Sequence, residues 1–373
     1  MRNALIITDV TAPGGVDTYV ADLCVAARER GWSPWLFMDD GEGSDALAKR
    51  IEVLGIPLMR RGLYHRAHDE SARRESTREA LAWATPQVAH AACGAPWTTV
   101  VPREVVLDAN LPLVFVEQYV AEGFTFEREL HARIRALYRR ADAVIAVSEH
   151  NAALLRGYGF DATDRLHVIP NSVSPFGGAP MTRGEAIMRF GLPEKELHAV
   201  CVARLHRQKG IDVLIEALAR VDPSVRARLH VTVLGDGPDR DALVELAAAR
   251  GVADTISFAG WCDDPRAVTG AFDLFVLPSR SEGQPFALLE AMSDGVPVIA
   301  CAAGGIPEAL DEGRVGTLVP VEDVTALARM IAAFIADPGP ARERARLAQV
   351  HVRERYNARI NLGRTIDLWD AGR

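Results

Sequence analysis

Residues 278–292 read PSRSEGQPFALLEAM and follow an apolar run, residues 272–277. The run has the length and composition of a buried strand, and the polar stretch around Gly283 that of a loop. Pro285 is expected to be the first residue of the helix that follows, because a helix's first amide has no partner to lose. Strand, loop and helix in that order make a corner of an α/β sheet. Such corners leave free backbone N–H groups at the carboxyl edge, where ligands bind. Two carboxylates sit there, Glu282 in the loop and Glu290 inside the helix. The neighbours of Glu290 are apolar (Phe286, Ala287, Leu288, Leu289, Ala291, Met292), so its charge is expected to be shielded and to need a partner. A salt bridge internal to the fold is the plain structural alternative.

Working outward, short apolar runs alternate with helical patterns over the whole chain, the signature of parallel βαβ units. In the first half, strands are expected at 4–8, 35–38, 56–60, 88–91, 113–116, 143–147 and 166–169, with helices at 16–30, 71–84 and 127–140. A loop rich in Pro and Gly, 170–180, marks a domain boundary. The pattern then restarts, with strands at 198–203, 231–234, 256–258, 274–277, 298–300 and 317–319 and helices at 213–220 and 240–249. After Glu322 the chain reads as helical to its end, broken at Pro338 and Pro340. The expected division is 1–175, 176–355 and a last helix over 356–373 that crosses back to the first domain.

Composition narrows the function. A chain of 373 residues suits two domains, and a net charge of −8 argues against a general nucleic-acid binder. The five cysteines (Cys24, Cys93, Cys201, Cys262, Cys301) are scattered and form no CxxC pair, which favours reduced thiols over a zinc site or disulfide scaffold. No apolar run reaches the length of a membrane span, and the N-terminus enters a strand at once without the pattern of a signal peptide. A cytoplasmic protein is expected, with peripheral attachment at the inner membrane face as the most membrane contact. The pairs Asp39–Asp40 and Asp263–Asp264 read as turn residues ahead of metal ligands. Ser148 reads as a helix N-cap, and a serine hydrolase is excluded because no GxSxG elbow occurs. Basic residues over 60–78 and 128–140 are interleaved with Asp69, Glu70, Glu75, Glu127 and Glu129, as on a solvated helix face.

The second half supplies the chemistry. The strand at 198–203 runs into Arg204 and then to Lys209–Gly210, which opens the next helix. An Arg fork, a Lys point charge and helix amides together suit an anion of more than one charge, such as a diphosphate. Gly235–Asp236–Gly237–Pro238 forms a tight turn at another strand end, either a place of close backbone approach to a ligand or a plain turn. Gly14–Gly15 offers a second close-approach loop at the first strand–helix corner.

Taken in order, Gly14–Gly15, Asn171 in IPNSV, Arg204 with Lys209–Gly210, GDGP, and Glu282–Gly283 with Glu290 resemble the retaining glycosyltransferases of family 4. The resemblance covers nearly the whole chain. It implies the GT-B fold: α/β, with two Rossmann-like domains facing each other across a cleft and C-terminal helices packing back toward the N-terminal one. It implies a hexosyltransferase that moves a sugar from a nucleoside diphosphate, UDP ahead of GDP, to an acceptor hydroxyl with retention. Neither a metal nor a cofactor beyond that co-substrate is expected. Arg204 and Lys209 would hold the diphosphate and Glu290 the ribose hydroxyls. Glu282, with Gly283, Gln284, Pro285, Phe286 and Ala287, would bind the donor sugar and phosphate. Gly14, Gly15, Gly235 and Gly237 would line the donor site.

The chain departs from the family at residues 117–119, where many members carry a His; here Glu117, Gln118 and Tyr119 are candidate sugar or acceptor contacts. In the donor loop, Gln284–Pro285 stands where a bulkier residue and a Gly are often seen. A polysaccharide, lipopolysaccharide or lipid-linked glycan is the expected acceptor, with a small hydrophilic natural product as the alternative. A sugar-nucleotide 2-epimerase of the same fold and a non-catalytic nucleotide-sugar binder are the remaining readings.

Overall fold

The computed structural model describes residues 2–10, 13–63, 69–160 and 163–371. The chain divides into one compact unit of residues 1–171 with 358–373 and a second of residues 172–357. In the first unit, seven strands are all parallel: β1 (Arg2–Thr8), β2 (Trp32–Met38), β3 (Leu58–Arg60), β4 (Val88–Cys93), β5 (Leu113–Glu117), β6 (Ala143–Ala146) and β7 (Leu166–Val168). Their spatial order is β3-β2-β1-β4-β5-β6-β7. The second unit repeats the scheme with β8 (Leu197–Val202), β9 (Leu229–Leu234), β10 (Ile256–Gly260), β11 (Leu274–Leu277), β12 (Val298–Cys301) and β13 (Thr317–Val319). Their order, β10-β9-β8-β11-β12-β13, reverses direction between β8 and β11.

Central strands such as AVIA in β6, LFVL in β11 and VIAC in β12 are buried along their whole length. Helices cover both faces of a parallel sheet, so these strands are continuously apolar instead of alternating. Amphipathic helices complete the layers. In Ile211–Arg220, Ile211, Leu214, Ile215 and Leu218 enter the core, while Asp212 and Glu216 stay at its margin. Ser148 caps its helix, its hydroxyl accepting from Asn151 N. No helix of the described residues is long and apolar enough to cross a membrane.

Two expectations about proline need correction. Pro285 is the N-cap of the helix Phe286–Ser293, with extended backbone (φ −74°, ψ 125°), and not its first residue. Pro338 does end a helix, Val324–Ala336. Pro340 instead lies in the first turn of the next one, Gly339–Arg355, where its missing N–H costs nothing. The other interruption falls at Tyr356–Asn357, where Val173 N donates to Tyr356 O and Val173 pairs with Asn357.

The last helix, Ala358–Ala371, belongs to the first unit. Trp369 is fully buried edge-on against Trp32 (5.4 Å, 89°), and its indole N–H donates to His90 Nδ1 at 3.2 Å. An indole can only donate, so His90 carries its proton on Nε2 and donates to Tyr19 Oη, 3.1 Å away. Burial pushes this imidazole down to about 3, which keeps it neutral. Arg2 with Asp370 and Arg30 with Asp367 close the rim by ion pairs. Trp369→Ala should destabilise the first unit by about 3–5 kcal/mol, the usual cost of emptying so large a core site. The midpoint of chemical denaturation checks it; an unchanged midpoint would mean the helix contributes little to the fold.

Candidate functional site

The reversal between β8 and β11 marks the point on the carboxyl edge of the second sheet where an open α/β sheet takes its ligands. Arg204 and Lys209 come from the loop after β8, and residues 278–285 from the loop after β11. The structure ties the two loops together. Lys209 Nζ lies 2.6 Å from Glu282 Oε1, with only 7% of the Glu282 side chain exposed. The hydroxyl of buried Ser279 donates to the same oxygen at 2.7 Å. Gln208 Nε2 donates to Ser281 O, and Arg280 N to Gln208 O, both at 2.8 Å. Arg280 grips Asp212 through two 2.7 Å bonds and reaches Glu322 as well.

Glycines permit this closeness. Gly210 has φ +66°, and a Cβ there would stand 2.0 Å from Pro278 O. Gly304 has φ +56°, and its Cβ would fall 1.7 Å from Glu282 O, while Gly305 N donates to Gly283 O at 2.9 Å. Gly235 and Gly237, read from sequence as allowing a ligand near, meet the chain itself. Their Cβ atoms would lie 2.1 Å from Ala203 O and 2.3 Å from Leu205 O. These two glycines let the GDGP turn pack onto the Arg204 corner.

The guanidinium of exposed Arg204 makes no hydrogen bond or ion pair with the described residues. The helix Phe286–Ser293 has no side-chain cap, so its first amides, from Phe286 and Ala287, stay available to an anion. Gln284 is buried and Glu290, one turn into the helix, is half-buried and so less shielded than its apolar neighbours suggested. One edge thus collects an unpaired guanidinium, an ammonium fixed by a carboxylate, and uncapped helix amides, a set matched to a polyanion. Sequence reasoning missed Ser279, Arg280 and Gly304–Gly305. The first two lie inside the decisive stretch, and the glycine pair follows the apolar strand β12 after two intervening residues, a legible signal for close approach.

The first unit corrects one expectation. Glu117 is no surface contact: it ends β5 fully buried, 3.1 Å from Arg103 Nη1 and 2.8 Å from the Tyr138 hydroxyl that donates to it. Burial raises the Glu117 carboxyl above the usual range, and Arg103 opposes that rise. Gln118 is also buried; its Oε1 accepts from Asn171 Nδ2 at 2.8 Å, and its Nε2 has no partner among the described residues. Tyr119 is half-buried. At the first corner, Gly14 N donates to Asp17 Oδ2 and Asp17 N to Gly14 O, so Gly14 caps the helix Gly15–Glu29. Residues 11 and 12 of that loop lie outside the described residues. Burial pushes Asp9, beyond the end of β1, up to about 6 and Asp17 up to about 7. Asp39 accepts from Gly41 N and Leu63 N, the bonds of a turn-forming aspartate.

Residues 183–350 match the model of Glycosyl transferases group 1, and residues 13–175 that of Glycosyltransferase Family 4. The chain belongs to the family 4 glycosyltransferases. A D-inositol 3-phosphate glycosyltransferase of Thermobifida fusca is 34% identical over 245 residues, covering 62% of this chain and 56% of the relative. A GDP-mannose-dependent alpha-(1-6)-phosphatidylinositol monomannoside mannosyltransferase of Mycolicibacterium smegmatis is 32% identical over 219 residues, covering 55% of this chain and 56% of the relative. The chain spans about half the length of the curated relatives it matches. Among solved structures, HepE of Anabaena in complex with UDP and glucose superimposes with a TM-score of 0.85 at 21% identity, over 100% of both chains. Sucrose-phosphate synthase of Thermosynechococcus elongatus gives 0.82 at 21%, over 99% of this chain and 98% of that one. The fold of this family 4 member is GT-B.

Gly304→Ala tests how far the site depends on close backbone packing. It forces a side chain into both a left-handed backbone and the Glu282 carbonyl, and should cost the second unit about 1–3 kcal/mol or more. Denaturation monitored in that unit checks it, and full stability in the variant would refute the packing described.

Proposed function

We propose that this protein is a retaining hexosyltransferase that uses a nucleoside-diphosphate sugar, UDP-linked ahead of GDP-linked, and delivers the sugar to an acceptor hydroxyl in glycan biosynthesis. The observation that carries the reading is the Lys209–Glu282 pair on the same sheet edge as Arg204, whose guanidinium has no partner among the described residues, and the uncapped helix start at Phe286. These groups belong to a family 4 glycosyltransferase chain.

In this reading the bond between the sugar's anomeric carbon and the diphosphate oxygen breaks, and negative charge develops on the leaving diphosphate. Lys209, Arg204 and the amides of Phe286 and Ala287 meet that charge, already oriented before it forms. Glu282 keeps the Lys209 ammonium in place, with Ser279 fixing the carboxylate in turn. The acceptor oxygen attacks the same face, and its proton passes to the departing phosphate oxygen, so configuration is kept without a protein nucleophile. Glu290 takes the ribose hydroxyls. The positive charge a metal would bring is supplied by the two cations.

Lys209→Ala should lower the turnover of the folded enzyme about a hundredfold or more, and it should also lower stability, because it leaves the buried Glu282 carboxylate without its cation. Initial rates of nucleoside-diphosphate release over a panel of UDP- and GDP-sugars measure this and identify the donor. Wild-type rates in the variant would remove Lys209 from its role. The reaction should persist in excess EDTA and give an α-linked product from an α-linked donor. NMR of the product decides the second point, and a β-linkage would reject retention.

A further inference from the structure

Two loops at the carboxyl edge of the first sheet are built with more rigidity than a connection needs. The loop after β4 carries Trp97 and the loop after β5 carries Phe124. Their rings stack at 4.2 Å and 9°. Phe126 lies 4.7 Å from Phe124 and 6.1 Å from Trp97, separations that place it beside Phe124 instead of opposite Trp97. Phe126 therefore leaves the second face of Phe124 uncovered by its own ring, and 38% of the residue is exposed.

Buried polar groups hold both halves of the stack. Arg103, fully buried, donates from Nη2 to Pro96 O and to Thr98 O, both at 2.7 Å, and so clamps the residues on either side of Trp97. Its charge is balanced by Glu117. Tyr158 Oη donates to Ala121 O at 2.6 Å and accepts from Phe124 N at 2.9 Å, which pins the other loop. Gln118 N donates to Cys93 O at 3.0 Å and keeps the loops side by side. A flat aromatic surface fixed in this way meets a ligand with little ordering cost.

The charge around it selects the ligand. Residues 94–99 carry no charge, and residues 119–127 carry only the exposed carboxylates Glu122 and Glu127, Glu122 also meeting His150 at 2.9 Å. Carboxylates accept hydrogen bonds from hydroxyls and repel anionic headgroups. An aromatic face takes the C–H face of a pyranose. We propose that Phe124, backed by Trp97, is a subsite for a neutral pyranose ring of the acceptor, and that the acceptor is a glycan. Arg103, Glu117 and Tyr158 are its positioning residues. The inference deepens the proposed function and rests on it only for the word acceptor.

Sugar binding can be measured without donor. Saturation-transfer NMR with methyl α-D-glucopyranoside, methyl α-D-mannopyranoside and maltotriose as probes should give signal with the wild-type chain. The signal should fall about tenfold in Phe124→Ala and persist in Phe124→Tyr, which keeps the ring. Both variants should stay folded, Phe124→Tyr melting as the wild type does and Phe124→Ala only slightly lower from the lost stacking on Trp97. Equal signal in Phe124→Ala, or none from the wild type, overturns the subsite. So does binding to phosphatidylglycerol vesicles that Phe124→Ala abolishes, which would mark a lipid contact. Donor turnover by the wild type is scored separately, so a failed subsite and a failed transferase reading give different results.

Discussion

The reversal of strand order between β8 and β11 is the constraint on which the second unit's site depends. In a parallel sheet each crossover helix covers one face, and where the winding direction changes, neighbouring loops leave in opposite directions. The gap between them is unavoidable, and this chain fills its floor with ionic and backbone contacts instead of apolar side chains. Lys209 and Glu282 join the two loops, Arg280 and Asp212 reinforce the joint from outside, and the glycines at 210, 235, 237 and 304 let main chains approach where a Cβ would collide. Precision at the site is therefore a property of the backbone, with side chains seated on it.

Two ion pairs, Lys209–Glu282 and Arg103–Glu117, do the same kind of work in separate units. Lys209–Glu282 joins the loops that leave β8 and β11, Arg103–Glu117 joins the helix Val100–Asp108 to the end of β5, and each carboxylate accepts from a further hydroxyl, of Ser279 in one and Tyr138 in the other. Buried pairs contribute little net stability compared with apolar packing, yet breaking one costs about 3–5 kcal/mol because the survivor is left charged in the interior. Such pairs fix geometry more than they add stability. They differ in access to water. Lys209 keeps a quarter of its side chain exposed at 24%, able to meet a ligand, whereas Arg103 and Glu117 are sealed at 0% and act only through the loops they hold.

The first sheet shows how one departure from a family pattern can be absorbed. The carboxylate at the end of β5 is fully buried and meets no ligand. Its partner Arg103 lies on the helix Val100–Asp108, among Val100, Val101, Val105 and Val106. The pair turns what reads as a surface substitution into an internal brace. The brace holds Trp97 against Phe124.

By itself the sequence determined the two α/β halves, nearly all of the strands, and the Arg204, Lys209 and Glu282 positions at strand ends. Continuous apolar runs and a helix start after a polar loop are local signals, and parallel sheets leave few arrangements for them. Only the tertiary structure decided which charges meet. Lys209 and Glu282 are separated by many residues, and so are Arg103 and Glu117; whether a carboxylate faces a ligand or a buried guanidinium depends on which strands become neighbours. The same holds for the glycines of GDGP, whose value comes from a carbonyl on another strand end, and for the stack of Trp97 on Phe124, brought together by the pairing of β4 with β5.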